Sequence, residues 1–325
     1  MSLIRRAAKP FTEYFNRHFD RVFMHVTDEA DLTRERLSTR ISGVEDRIGR
    51  LETVEANAIV DWIERHPSDA PVIIDQAARL LIGRSATDLP AGVLDLLNWA
   101  SSYASPAAQI GMWFNPPVYV GLQPGGRAQV DVNERIVEVP YALAVAARLP
   151  MGSLALDLGA AESTLALSLA SLGIDTIALD RRPYPLDHPR LTAVMEKVED
   201  WAGPPRQLDA VFCVSTIEHV GLGYYGNDSA GSDQDRLTMN RLLDWIADEG
   251  VLVLTAPYGR WHVDNFQRTY DEDHLDALLE GWKVIDKLVC EQTAPSAWEV
   301  SRTDGPAAGE TVGRSVVLLQ AQPRR

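Results

Sequence analysis

From about residue 150 onward, short apolar runs alternate with helix-patterned segments: 153–159 (SLALDLG), 163–173 (STLALSLASLG), 174–180 (IDTIALD), 208–215 (LDAVFCVS), a helical stretch around 235–248, and 250–257 (GVLVLTAP). Strands that are apolar along their whole length are buried on both faces, and parallel neighbours need helical crossovers between them. The order therefore confines this part of the chain to an α/β architecture, a doubly wound and mostly parallel sheet covered by helices. The last apolar runs, 282–291 (WKVIDKLVCE) and 315–322 (SVVLLQAQ), have no helical pattern between them, which predicts an antiparallel terminal hairpin at the sheet edge.

The first third of the chain reads differently. Residues 1–24 carry Arg5, Arg6, Lys9, Arg17 and Arg21 against Glu13 and Asp20, a balance of +3 in a chain of net −15. Phe11, Phe15 and Phe19 recur every fourth residue there, so a helix would set an aromatic stripe beside cations. Such a helix packs on its own protein or on a second copy, with an anionic membrane surface or a partner as the alternative. Leu37, Ile41, Val44, Ile48 and Leu51 follow a 4-3-4-3 spacing, two heptads long, as in a helical hairpin or a dimer contact. Further helices are expected at 72–82 and 91–99, and prolines 116, 117 and 124 mark an irregular stretch. The expected organisation is a helical module over 1–110 for oligomerisation or docking, a linker over 111–134, and an α/β domain over 135–325.

Thirty-one Lys and Arg against 46 Asp and Glu leave a surface that repels a phosphate backbone, which argues against nucleic acid as partner. Only Cys213 and Cys290 occur, both inside apolar runs, so a disulfide framework or a Cys-rich metal site is not expected. No apolar run approaches the 18 residues of a membrane span and no secretory signal is read at the N-terminus, so a cytoplasmic homo-oligomer is expected, peripheral at a membrane if residues 1–60 dock there.

In a doubly wound sheet, ligands bind beyond the carboxyl ends of the strands, at the first strand-to-helix turn. Here that turn runs Asp157-Leu158-Gly159-Ala160-Ala161-Glu162-Ser163, and the next strand ends 23 residues later at Asp180, followed by Arg181. A carboxylate at that place is suited to both hydroxyls of a ribose. A nicotinamide dinucleotide would want three glycines around its diphosphate, whereas this turn offers one glycine and the carboxylate of Glu162. A ribosyl ligand carrying a cationic sulfonium tolerates such an acidic mouth.

With ALDLGAAES, IALD at 177–180, the acidic pair Glu199-Asp200, LDAVFCVSTIEHVG and GVLVLTAP in this order, residues 135–322 resemble the class I S-adenosylmethionine-dependent methyltransferases. The resemblance implies a seven-stranded Rossmann-like sheet, S-adenosyl-L-methionine as methyl donor, and a donor site formed by Asp157, Gly159, Ala160, Ala161, Glu162, Ser163, Asp180, Arg181, Glu199, Asp200 and Ser215. Ala161 and Ser163 depart from it, standing where glycines are usual. More narrowly, 215–228 (STIEHVGLGYYGND) and 133–143 (NERIVEVPYAL) are similar to members associated with polysaccharide or glycolipid assembly, which points to a sugar hydroxyl, with another small molecule or lipid precursor as rival and a catalytically degenerate scaffold as a further one.

Methylating a hydroxyl requires a group that takes its proton. His219 is the candidate base, Glu218 its neighbour at the end of the fourth strand, and His262 after the fifth strand the competitor. Glu218, Asp228 and Asp264 could instead hold Mg²⁺, which polarises hydroxyls. Tyr224, Tyr225, Asp228, Tyr258, Arg260, Trp261 and Asp264 are the candidate acceptor contacts, since aromatic faces and polar tips suit a saccharide.

Overall fold

The structure is a computed structural model that describes residues 58–103, 105–109, 111–122, 128–223, 233–301 and 314–324. The aromatic stripe and the heptad seam lie outside these residues. The described chain falls into two compact units, the first ending at Arg84 and taking in Leu89–Val93, the second comprising Ser85–Asp88 and Leu94–Arg325. Within the first unit, α1 (Ala58–Arg65) and α2 (Ala70–Leu81) flank a single 3-10 turn, and Ile63, Ile73 and Ala77 are their buried apolar residues. The boundary between the units falls inside α3 (Ala91–Ala100).

In the second unit, α4 (Pro106–Gln109) precedes an antiparallel hairpin of β1 (Val118–Leu122) and β2 (Ala128–Val132). Residues 111–134 thus hold a hairpin where an irregular linker was expected. Its pairing places Val118, Val120 and Leu122 opposite Val132, Val130 and Ala128, apolar pairs that the prolines on either side obscure in the sequence.

After α5 (Arg135–Ala146) the chain runs through β3 (Leu154–Leu158), α6 (Leu165–Ser171), β4 (Asp175–Asp180), β5 (Leu191–Met195), β6 (Leu208–Val214), α7 (Gln234–Trp245) and β7 (Ile246–Pro257), the alternation predicted from the sequence with β5 as a strand it did not single out. A two-stranded ribbon of β8 (His262–Val263) and β9 (Arg268–Thr269) leads into α8 (Glu272–Leu278), and β10 (Trp282–Ala294), β11 (Ala297–Ser301) and β12 (Ser315–Pro323) close the chain. The main sheet has eight strands in the order β11-β10-β12-β7-β6-β3-β4-β5, not seven. β3 to β7 pair in parallel, whereas β12 runs antiparallel to both β7 and β10. The additional strand, β11, pairs with β10 at the edge, so the terminal runs are not a simple hairpin. AWEVS contains two charged or polar residues and one small one, which hides an edge strand from a reading based on apolar runs.

Period-two alternation divides the core. Leu154, Leu156 and Leu158 of β3 point to the layer holding Met239 and Leu242 of α7 and Leu275 and Leu278 of α8, while Ala155 points to the layer holding Ala142 and Val145 of α5 and Leu165 and Leu169 of α6. With helices on both faces, the strand ends are the places where polar groups can meet a ligand.

Candidate functional site

β3 to β7 end along one edge of the sheet, and two groups of polar side chains gather there. The first lies at β3 and β4. Asp157 is buried, its Oδ2 has no hydrogen-bond partner, and burial pushes its carboxyl up to about 7. Gly159 turns the chain at φ +81°, its N–H donating to the Leu179 carbonyl at 2.8 Å. A Cβ at this position would lie 2.2 Å from Thr216 Oγ1, so only glycine allows the turn to press on the segment after β6. Ala160–Glu162 form one 3-10 turn, and Ser163 Oγ accepts from the Leu165 N–H at 3.0 Å to start α6.

Asp180, at the end of β4, reaches back to this turn. Its Oδ2 accepts from the Ala161 N–H at 3.0 Å, and its Oδ1 accepts from the Arg182 N–H at 2.9 Å and from Arg182 Nε at 3.3 Å. The Arg182 guanidinium also pairs with Glu162, and the Glu162 carbonyl accepts from the Asn115 N–H at 2.9 Å. Arg181 is half-buried beside them. Beyond β5, the Glu199 carbonyl accepts from Arg241, which fixes its backbone, while Asp200 is exposed.

The second group lies at β6 and β7. Ser215 follows β6 with φ +43°, the sole non-glycine residue with positive φ among the described residues. Its N–H donates to Thr255 Oγ1 at 3.0 Å, Thr255 Oγ1 donates to Glu138 Oε1 at 2.8 Å, and Ser215 Oγ donates to the same oxygen at 2.7 Å. Glu138 comes from α5 and is fully buried, which pushes its carboxyl above the usual range. Arg135, one turn earlier, lies 3.5 Å from its other oxygen and donates to the Val214 carbonyl at 3.3 Å.

A 3-10 turn over Ile217–His219 then carries Glu218 inward and buries it, with Oε2 unpartnered and the carboxyl pushed up to about 8 by burial. His219 Nδ1 lies 2.6 Å from the Phe266 carbonyl. Because a carbonyl only accepts, Nδ1 carries the proton and the lone pair sits on Nε2, 3.7 Å from Glu218 Oε1. Burial holds the imidazole below its ordinary pKa. Buried Arg268 supports the turn, donating to the Val220 carbonyl at 2.7 Å and pairing with Asp235, whose Oδ2 also accepts from Tyr270 OH at 2.8 Å.

The other residues singled out in the sequence sit apart or are engaged. His262 is 68% exposed and pairs with Asp264 at 3.8 Å. Asp264 caps its own turn, accepting from the N–H groups of Gln267 and Phe266, which hold its carboxyl low. Tyr258 OH donates to Glu272, the Trp261 ring stacks on His274 at 3.7 Å, and Arg260 is exposed. Tyr224, Tyr225 and Asp228 lie outside the described residues. Among the described residues, no group of three or more His, Cys, Asp or Glu side chains is placed to hold a metal ion.

Glu138, Arg135, Thr255, Arg182 and Arg268 were not singled out in the sequence. For Glu138 a signal existed. It shares a 4-3 spacing with Ala142 and Val145, so a charge stands in the apolar stripe of its helix, and a charge so placed is buried only with partners.

A family model described as a Caenorhabditis protein of unknown function, DUF268, matches residues 171–320. No curated protein matches the chain. Similar solved structures include the N-methyltransferase NodS from Bradyrhizobium japonicum with S-adenosyl-L-homocysteine, at 15% identity over 59% of this chain and 92% of that one, with a TM-score of 0.37. Others are the 1,6-didemethyltoxoflavin-N1-methyltransferase of Burkholderia thailandensis, at 14% identity over 66% and 98% with a TM-score of 0.39, and the [4+2]-cyclase SpnF, at 15% identity over 56% and 80% with a TM-score of 0.41.

Proposed function

We propose that the chain is an S-adenosylmethionine-dependent methyltransferase whose acceptor is a hydroxyl of a small molecule, with saccharides or glycoconjugates as the substrate class. The observation that carries this reading is the contact of the Gly159 turn with Thr216, which joins the acids at the ends of β3 and β4 to His219 at the end of β6. The residues present fit the donor. Asp157 offers a buried carboxylate oxygen without a partner, Asp180 is the candidate for a ribose diol, and the two carboxylates of Asp180 and Glu162 face the single guanidinium of Arg182, a balance that suits a cation better than a diphosphate. When bound, the donor supplies an electrophilic methyl group on sulfur. His219, its Nδ1–H held by the Phe266 carbonyl, offers Nε2 to take the proton of an acceptor hydroxyl. The sugar class rests on the resemblance of 133–143 and 215–228 alone.

A second reading, a degenerate scaffold, is favoured by one observation: both oxygens of Asp180 already accept bonds from Ala161 and Arg182. Thermal shift with S-adenosylhomocysteine separates the two, since a binder is stabilised as RT ln(1+[L]/Kd). A radiolabelled donor offered with saccharides and lipid extracts then names the acceptor. His219→Ala should keep donor affinity and lose roughly 10²–10⁴ in kcat, whereas a dead His262→Ala beside an active His219→Ala would move the base to the β8–β9 ribbon. Residues 1–60 are proposed to join copies or dock the enzyme. Deleting residues 1–57 should shrink the particle in light scattering or abolish liposome flotation while leaving donor binding intact.

A further inference from the structure

The shape of the β6 end has an unusual cause. Ser215 holds a left-handed backbone conformation that costs a side-chain-bearing residue roughly 1–3 kcal/mol and persists only where surrounding contacts enforce it. Both polar ends of Ser215 lead to one carboxylate, although the amide is shared between Thr255 Oγ1 and the Thr255 carbonyl at 3.2 Å. The hydroxyl donates to Glu138 Oε1 directly, at 2.7 Å, and the amide reaches the same oxygen through Thr255 Oγ1, by bonds of 3.0 and 2.8 Å. Glu138 belongs to α5, which precedes the sheet, and has no exposure to solvent. The residues next in line are Thr216, against the Gly159 turn, then Glu218 and His219.

We propose that Glu138 is a positioning residue: by holding Ser215 in its left-handed conformation from both sides, it fixes the turn that sets Thr216 against the donor loop and aims His219. It touches neither donor nor acceptor, and the proposal rests on the methyltransferase reading only for what the turn is aimed at. Glutamine at 138 would keep the volume and one oxygen that can accept both hydroxyls, but it removes the negative charge and sets an amide NH2 against Arg135 where Oε2 now lies, so both hydroxyl bonds weaken and the turn should slacken. Glycine at 215 adopts positive φ without strain, so it removes the need for the clamp.

The experiment uses the full-length chain, with two readouts: the His219 ring signal in a histidine-labelled NMR spectrum, assigned by its loss in His219→Gln, and S-adenosylhomocysteine affinity by calorimetry. Glu138→Gln should shift the His219 signal and weaken affinity by about tenfold, the loss of one charge-assisted hydrogen bond. Adding Ser215→Gly should return both towards wild type. The proposal is overturned if Glu138→Gln lowers Tm yet leaves the His219 signal in place, or if Ser215→Gly rescues nothing. Should Glu138→Gln fail to fold, Thr255→Val and Ser215→Ala each cut one arm of the clamp, and an unmoved His219 signal in both overturns it equally. If the wild type binds no S-adenosylhomocysteine, the methyltransferase reading fails, while the His219 signal still decides whether Glu138 positions the turn.

Discussion

Apart from Asp157, which is buried at the β3 end, the two ends of the candidate site hold their acids by different means. At β3 and β4, Asp180 and Glu162 share the guanidinium of Arg182, whose side chain is 40% exposed, so that arm of the pairing is screened by water, although Asp180 itself is buried and also held by backbone N–H groups. At β6 and β7, Glu138 and Glu218 are buried, and burial raises both carboxyls. In the first arrangement the Arg182 guanidinium can give way to an incoming ligand at small cost. The second cannot rearrange without leaving buried polar groups unpaired, and so it keeps a shape. On the function proposed above, binding and positioning fall to neighbouring strand ends, which are linked through Gly159 and Thr216.

That link is where the division is easiest to break. Gly159→Ala adds a Cβ 2.2 Å from Thr216 Oγ1 to a residue with φ +81°, a combination expected to cost roughly 3–5 kcal/mol. A fall in Tm of about 10 °C or more, with loss of S-adenosylhomocysteine binding, is the expected outcome. An unchanged Tm would show that the two ends are independent.

The buried end should reveal itself through pH. Glu218 keeps its proton in the folded protein up to about 8, whereas the unfolded chain releases it near 4.5. The folded state therefore binds more protons across this window, and stability falls as pH rises from 4.5 to 8. Asp157, raised to about 7, acts in the same direction. Glu218→Gln should remove roughly 2–4 kcal/mol of that decline, read from Tm at pH 5 and pH 8. Parallel curves for variant and wild type would mean that Glu218 is already ionised in the fold.

At the exchangeable end, Asp180→Ala should weaken S-adenosylhomocysteine binding by about 1.5–3 kcal/mol in calorimetry. Unchanged affinity in a folded variant would remove Asp180 from the proposed donor site. The smallest effect belongs to Arg182→Gln, which should change stability by less than about 1 kcal/mol, and less again at high salt, because the guanidinium is half-exposed and Asp180 keeps the N–H donors of Ala161 and residue 182. A large loss of stability there would make both ends rigid and erase the contrast.

Much of this was readable from residue order. Strands β3, β4, β6 and β7 followed from apolar segments alternating with helical patterns, and the Gly159 turn from its place after the first of them, because burial on both faces and the crossover rule leave few alternatives, whereas β5, largely exposed at the sheet edge, has no apolar run to betray it. The helix read over 235–248 ends earlier, at Trp245, since Ile246 already belongs to the long strand that follows. β11 was hidden because an edge strand needs no apolar pattern when its hydrogen bonds to β10 suffice.

The sequence by itself determined the parallel sheet, its helical cover and the places where the strands end, since these follow from local periodicity and from the need to bury apolar faces. Only the tertiary structure decided that Glu138, 77 residues before Ser215, would clamp it. It also decided that His219 would be tied to Phe266 while His262 stayed at the surface, and that Arg182 would cover the Asp180 carboxylate. The helical spacing of Glu138 announces its burial but not its partners, because such contacts depend on side chains brought together by crossovers whose geometry is set by the packed sheet as a whole.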